Sequence, residues 1–284
     1  MNNKTCRYIV VVIFIFLGMG NHSTYANEWE DEDTPISFKI EMLPWKEVNK
    51  LLPNKTKFTI IDVETGLQFN VQRRAGSQHA DVQPLTKEDT RIMKKIYHDK
   101  WSWKRRAIIV LFHDQMIAAS MNGMPHGGGI LKNNFPGHFC VHFSGSITHR
   151  LKQEDLAHKL MILRAAGKLE EYLHTVDPYE LIHIFKVATN QDDQPLLNQI
   201  ISDSTCTNCL DDLINNITSI AIGNFQEPQI KDMNGLLFIE IPARVNIYTS
   251  KNELVKKEVH FILKRDVFVD RWVIDENSLL KELE

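Results

Sequence analysis

The run His138-Phe139-Cys140-Val141-His142-Phe143 places three chemically active side chains two residues apart. Side chains of an extended strand alternate between faces. His138, Cys140 and His142 therefore share one face, and Phe139, Val141 and Phe143 share the other, which is expected to meet the core. The thiol then stands between two imidazoles. Fourteen positions upstream, His126 opens the glycine-rich segment His126-Gly127-Gly128-Gly129, from which a loop can fold back over the thiol.

Those residue types suit nucleophilic catalysis. A free thiol titrates near 8.5, and its thiolate is the attacking species. A neighbouring imidazolium favours the thiolate and can later protonate a leaving amine. The imidazole itself needs a third group to hold its tautomer, and backbone N–H groups of the glycine-rich loop can stabilise a developing oxyanion. Two other readings use the same residues. His126, His138, Cys140 and His142 are all zinc-ligand types, although alternate strand residues lie about 6.6–7 Å apart, which is wide for one ion. A structural polar cluster around a buried thiol is the third reading.

His126-Gly127 followed by Gly137-His138-Phe139-Cys140, with the cysteine 14 positions after the first histidine, resembles the L,D-transpeptidase (YkuD-like) family. That family is marked by His-Gly/Ser, a spacer, and then Ser/Thr-His-Gly-Cys with Arg or Asn close behind. The resemblance covers about residues 57–150 and extends to a subgroup from spore-forming Gram-positive bacteria. It implies a curved β-sheet sandwich, Cys140 as nucleophile, His126 as base, the Gly127 carbonyl as the group orienting that imidazole, and His138 as a shaper of the site. It also implies acyl transfer on peptidoglycan stem peptides, by transpeptidation or by carboxypeptidase or endopeptidase cleavage, with no metal and no cofactor. Gly137 replaces Ser/Thr, Phe139 replaces Gly, and His142 stands where Arg or Asn is usual. Phe139 is expected to narrow the acyl pocket or to alter the backbone there. The competing class of function is a non-catalytic cell-wall or spore-wall binding protein on the same scaffold.

The elements that must position these residues read as follows. Pro44 opens a short helix with Trp45, Val48 and Leu51 on one stripe. Residues 58–63 and 67–73 flank Glu64-Thr65-Gly66 as a hairpin. Residues 74–85 read as irregular, with Arg73, Arg74 and His79 as solvated polar groups or as contacts for a carboxylated substrate. Thr86 and Asp89 resemble a capping box that starts a helix to about His98. Residues 106–112 and 115–120 form a second hairpin. Trp101 and Trp103, beside Lys104, Arg105 and Arg106, read as core-facing indoles next to a solvated basic face, or as a carbohydrate or polyanion surface. Asn133 and Asn134 serve the loop turn or contact substrate. His142 is a supporting or substrate-contacting group, and His149 an ordinary polar residue. Helices follow over 153–167, 168–176 and 178–188, then a polar break near 190. Residues 206–225 read as helix and turn, and 236–250, 256–265 and 268–274 as three strands.

This pattern predicts a mainly β catalytic domain with flanking helices over 57–190. An α+β accessory module follows over 191–284, similar in pattern to the cone-shaped fold of nuclear transport factor 2. Residues 27–56 are an acidic segment and docking helix. Residues 1–26 read as a signal peptide, with Lys4 and Arg7 before the apolar run 8–19 and cleavage after Ala26. That predicts a secreted protein, extracellular or associated with the wall or spore envelope, with no transmembrane segment after cleavage.

The 284 residues carry 33 basic and 36 acidic side chains, a formal net charge of −3. So mild a balance argues against nucleic acid as a partner, because such affinity rests on neutralising phosphates. It leaves the oligomeric state undetermined. Of four cysteines, Cys6 lies in the signal segment. Cys206 and Cys209 are close enough to form a disulfide, but their spacing equally permits two free thiols, redox work or metal binding. Cys140 is then left over, and a leftover thiol in an exported chain asks for a reason.

Overall fold

The computed structural model describes residues 39–148, 153–202, 214–223, 225, 232–233, 235–267 and 270–283. Residues 1–26, read above as a signal peptide, and His149, Cys206 and Cys209 lie outside the described residues.

Two antiparallel hairpins lay down most of the first sheet. Strand β2 (Lys57–Asp62) pairs with β3 (Gln68–Ala75), and β5 (Arg105–Phe112) with β6 (Gln115–Asn122), while β2 also pairs with β5. Strand β4 (Ala80–Pro84) adds to β3, and β7 (Phe139–His142) pairs with β4 on one side and β6 on the other. That double pairing joins the ends of the sheet. The expected sandwich of open curved sheets is therefore replaced by a closed six-stranded barrel. Closure leaves no strand of the ring with an unpaired edge, which is the physical advantage of a barrel over an open sheet. A two-residue strand, β1 (Ile40–Glu41), runs parallel to β6 outside the ring.

The barrel interior follows the period of two. Ile60, Phe69, Val71, Val82, Val110, Ile117, Met121, Phe139, Val141 and Phe143 point inward and are fully or almost fully buried. Helix α1 (Trp45–Leu51) adds Trp45 and Val48 to this core. Helix α2 (Lys87–Ile96) adds Met93 and Ile96, and begins with the capping box of Thr86 and Asp89. Such a box satisfies two backbone donors that the first turn would otherwise leave unpaired.

The second core lies outside the barrel. Helices α3 (Leu156–Ala165), α4 (Leu169–Leu173), α5 (Pro178–Gln191) and α6 (Gln194–Ile200) bury their apolar residues together with Ala107 and Ala118 of the barrel's outer face. The same core includes a four-stranded antiparallel sheet that curls as a half-barrel. Its strands are β8 (Ile217–Ile222), β9 (Phe238–Thr249), β10 (Leu254–Lys264) and β11 (Val273–Ile274), followed by helix α7 (Glu276–Leu283).

Three local expectations change. Residues 80–84 form a fully buried strand rather than an irregular stretch, because Ala80 and Val82 enter the barrel. The polar break near 190 holds helix α6, which has a proline in its first turn. Residues 217–222 form an edge strand paired to β9 rather than the end of a helix.

Candidate active site

Because Phe139 and Val141 face the barrel interior, Cys140 and His142 face outward. Cys140 stands opposite Asp81 across the β4–β7 ladder, and His142 opposite Ser120 across β6–β7. Parity thus collects Asp81, Ser120, Asn122, Cys140 and His142 on one patch of the outer surface. Helix α3 lies over this side of the barrel and contributes His158, whose Nδ1 is 2.9 Å from the Ser120 hydroxyl.

His126 reaches the thiol because its backbone pairs with that of His138. Each N–H donates to the other's carbonyl at 2.9 Å. Two glycines permit this closeness. Gly127 has φ +59°, and a Cβ there would sit 2.2 Å from His138 Cε1. Gly137 has φ +128°, and a Cβ there would sit 2.4 Å from the His126 carbonyl oxygen. A Ser or Thr at 137 would collide with the bridge. The other departure, Phe139, has its ring in the barrel core and does not narrow the thiol's face.

His126 Nε2 lies 3.2 Å from Cys140 Sγ. Its Nδ1 lies 2.9 Å from the Met124 carbonyl, so the orienting oxygen belongs to Met124 and not to Gly127. A carbonyl only accepts, which places the ring proton on Nδ1 and the lone pair of Nε2 toward the thiol. This is the tautomer a general base requires. Burial pushes the Cys140 thiol up, and the Asp81 carboxylate, 3.8 Å from Sγ, adds to that. Burial lowers His126. The resting pair is therefore a neutral thiol facing a neutral imidazole, not the expected thiolate held by imidazolium. Cys140 is only 6% exposed, but the neighbours of its sulfur are polar.

His138 lies farther from the sulfur's chemistry. Its Nδ1 is 3.0 Å from the Gly128 carbonyl, and its Nε2 is 3.9 Å from Asp81. His79, expected to be solvated, is 1% exposed. Its Nδ1 is 3.0 Å from the Ile147 carbonyl, its Nε2 is 3.2 Å from Asp81, and its ring stacks on His142 at 4.4 Å. His142 stacks in turn on His158 at 3.8 Å. One potential ligand atom each from His79, Cys140 and His142 lie within 4.8 Å of one another. This buried cluster is consistent with a catalytic or a metal-binding site. Sequence reasoning missed Asp81 and His158 and took His79 for a loop residue, solvated or touching substrate. The only signal for His79 and Asp81 was His-Ala-Asp before an apolar-polar alternation too short to stand out.

The remaining candidates serve the scaffold. Arg73 is buried, with its guanidinium donating to Leu52 and Gly76 carbonyls and lying over Trp45. Asn133 bonds the Pro84 carbonyl and accepts from the Phe135 N–H, and Asn134 takes the left-handed turn at φ +65°. Trp101 sits edge-on to Phe135. Trp103 differs: the residue is 51% exposed, and its ring lies 5.3 Å from the His126 ring.

The stacked imidazoles set an acid limit on the fold. Burial holds both His142 and His158 below the ordinary histidine value, so both stay neutral when folded and protonate on unfolding. A depressed histidine leaves stability intact above its unfolded value near 6.5 and erodes it as pH falls below that. Denaturant titrations of chelator-treated protein are expected to lose about 1.4 kcal/mol per pH unit for each imidazole below pH 6. A flat profile from pH 7 to 5 would contradict the neutral stack.

The chain matches no family model, and comparison with curated proteins and with solved structures finds no significant match. Among the described residues, no helix is long and apolar enough to cross a membrane.

Proposed function

We propose that this chain is a cysteine acyl-transfer enzyme of the L,D-transpeptidase type, acting on peptidoglycan stem peptides outside the cell membrane. The observation that carries the reading is the His126 Nε2–Cys140 Sγ contact at 3.2 Å, with the far side of the imidazole pinned to a backbone carbonyl. Support comes from the site and its motif rather than from the barrel, since folds host many unrelated chemistries.

As an acyl donor binds, His126 takes the thiol proton while the sulfur attacks the carbonyl that precedes a terminal D-residue. The C–N bond breaks, and His126 returns the proton to the departing D-amino acid. An amine from a neighbouring stem then resolves the thioester into a cross-link, or water resolves it into a shortened peptide. The exposed Trp103 indole beside His126 offers the substrate an apolar wall.

Digestion of purified wall material by the full chain, followed by mass analysis of the muropeptides, tests this. The expected products lack a terminal D-residue or carry a new cross-link, and they vanish with Cys140→Ala. Unchanged muropeptides, together with no carbapenem adduct on folded protein, would point instead to a wall-binding module.

A further inference from the structure

We propose that His79, Cys140 and His142 form a binding site for a divalent transition metal of the zinc class, and that metal and acyl donor compete for one sulfur. The competition rests on the acyl-transfer reading above; the metal site does not.

Thiolate and imidazole are the donors that borderline ions such as zinc select, whereas calcium and magnesium select oxygen. The three ligand atoms lie within 4.8 Å of one another, and all three residues are buried. Zinc bonds of about 2.0–2.3 Å put tetrahedral ligands roughly 3.3–3.8 Å apart. Closing that difference tilts the His79 and His142 rings out of their parallel stack, because lone pairs in two parallel ring planes cannot meet at one ion.

Two further observations point to an ion. The first is His142 Nδ1, which is buried and has no hydrogen-bond partner among the described residues. The His79 and His158 rings stack on it at 4.4 and 3.8 Å. A buried polar atom without a partner calls for an explanation, and an ion is one. The second is the anchoring of His79. Its Nδ1 donates to the Ile147 carbonyl, which can only accept, and its Nε2 is turned toward Asp81. Metal-ligating histidines commonly show this arrangement, with one nitrogen tied to a carbonyl and the other presented to the ion. That Nε2 faces Asp81 Oδ1 at 3.2 Å, and Asp81 Oδ1 is 3.8 Å from the sulfur. The carboxylate thus stands ready as a fourth ligand or as a charge that favours a cation.

Binding breaks the S–H bond and forms a metal–sulfur bond, and the proton passes to His126 or to water. No electron is transferred. The sulfur lone pair needed to attack a carbonyl is then committed to the metal, so a loaded site is an acylation-silent site.

Cobalt(II) added to chelator-treated full chain is the direct probe. The expected result is a near-ultraviolet thiolate-to-cobalt band that saturates at one equivalent, with visible bands of a tetrahedral site. The band is lost in Cys140→Ser, and cobalt affinity falls at least tenfold in His142→Gln. One equivalent of zinc blocks carbapenem labelling of Cys140, and chelator restores it. A missing charge-transfer band overturns the proposal. So does a band that survives Cys140→Ser, because its thiolates would then come from Cys6, Cys206 or Cys209. Carbapenem labelling of the metal-free protein reports on the acyl-transfer reading separately. Cobalt binding without any adduct removes that reading and keeps the metal site, and an adduct without cobalt binding does the reverse.

Discussion

Replacing His126 by alanine is expected to slow acylation of Cys140 by about 10²–10⁴-fold, the usual contribution of a positioned general base. The expectation follows from the resting charge state. Burial and the Asp81 carboxylate keep the thiol protonated at neutral pH, so attack needs a proton acceptor at the moment of reaction. His126 is the imidazole whose lone pair is shown to face Sγ, at 3.2 Å. It is half-buried on a surface loop, and its ring touches Trp103 and His138 rather than either core. Truncation therefore leaves the barrel intact. The pH profile carries a second signature. Burial holds His126 below the ordinary histidine value, so the parent's acylation rate should fall only below pH 6.5, as the base protonates. That acid limb disappears in His126→Ala, and a rise at high pH remains as the thiol ionises without help. A time course of carbapenem adduct formation by intact-protein mass, from pH 5 to 9, measures both. Labelling of the variant at close to the parent's rate would remove His126 as the base. A deeper loss in His142→Gln would transfer the role to the buried stack.

Phe139→Ala should cost about 3–5 kcal/mol of stability, the range for emptying a buried aromatic site. Phe139 is fully buried in the barrel, with Phe69 at 6.2 Å and Phe135 at 5.7 Å between ring centroids. It also sits in the strand that closes the ring, so the vacated volume lies at the seam between β4 and β7. Domains are stable by only about 5–15 kcal/mol, so this single change removes a large share. Installing the glycine of the resembling motif, Phe139→Gly, should be worse by roughly 0.5–1 kcal/mol because of the strand's lost backbone restraint. The motif residue would thus damage this chain, since the ring supports the fold and not the chemistry. Midpoints of urea unfolding for the three proteins check the order. A midpoint for Phe139→Gly close to the parent's would mean that the ring contributes little to the core.

The two substitutions probe opposite faces of one strand, and those faces differ in how they could be known. The alternation of residues 138–143 is a local property. Successive side chains of any extended strand must point to opposite sides. The sequence alone therefore separated Phe139, Val141 and Phe143 from Cys140 and His142, whatever the strand paired with. The capping box at Thr86 and the hairpins around Gly66 and His113 were legible for the same reason, since each is made by residues close along the chain. His126 was legible through its spacing from Cys140 and the glycines that let the loop return.

Tertiary structure alone decided what surrounds the sulfur. Asp81 precedes Cys140 by 59 residues and meets it only because β7 pairs with β4. His158 joins the stack from a helix whose apolar residues pack against the barrel's outer wall. Closure of the sheet, the charge state of the thiol and the His79–His142–His158 stack all follow from contacts between distant segments. Such contacts leave no periodicity in either partner, because each strand's pattern records which face is buried and not which neighbour covers it.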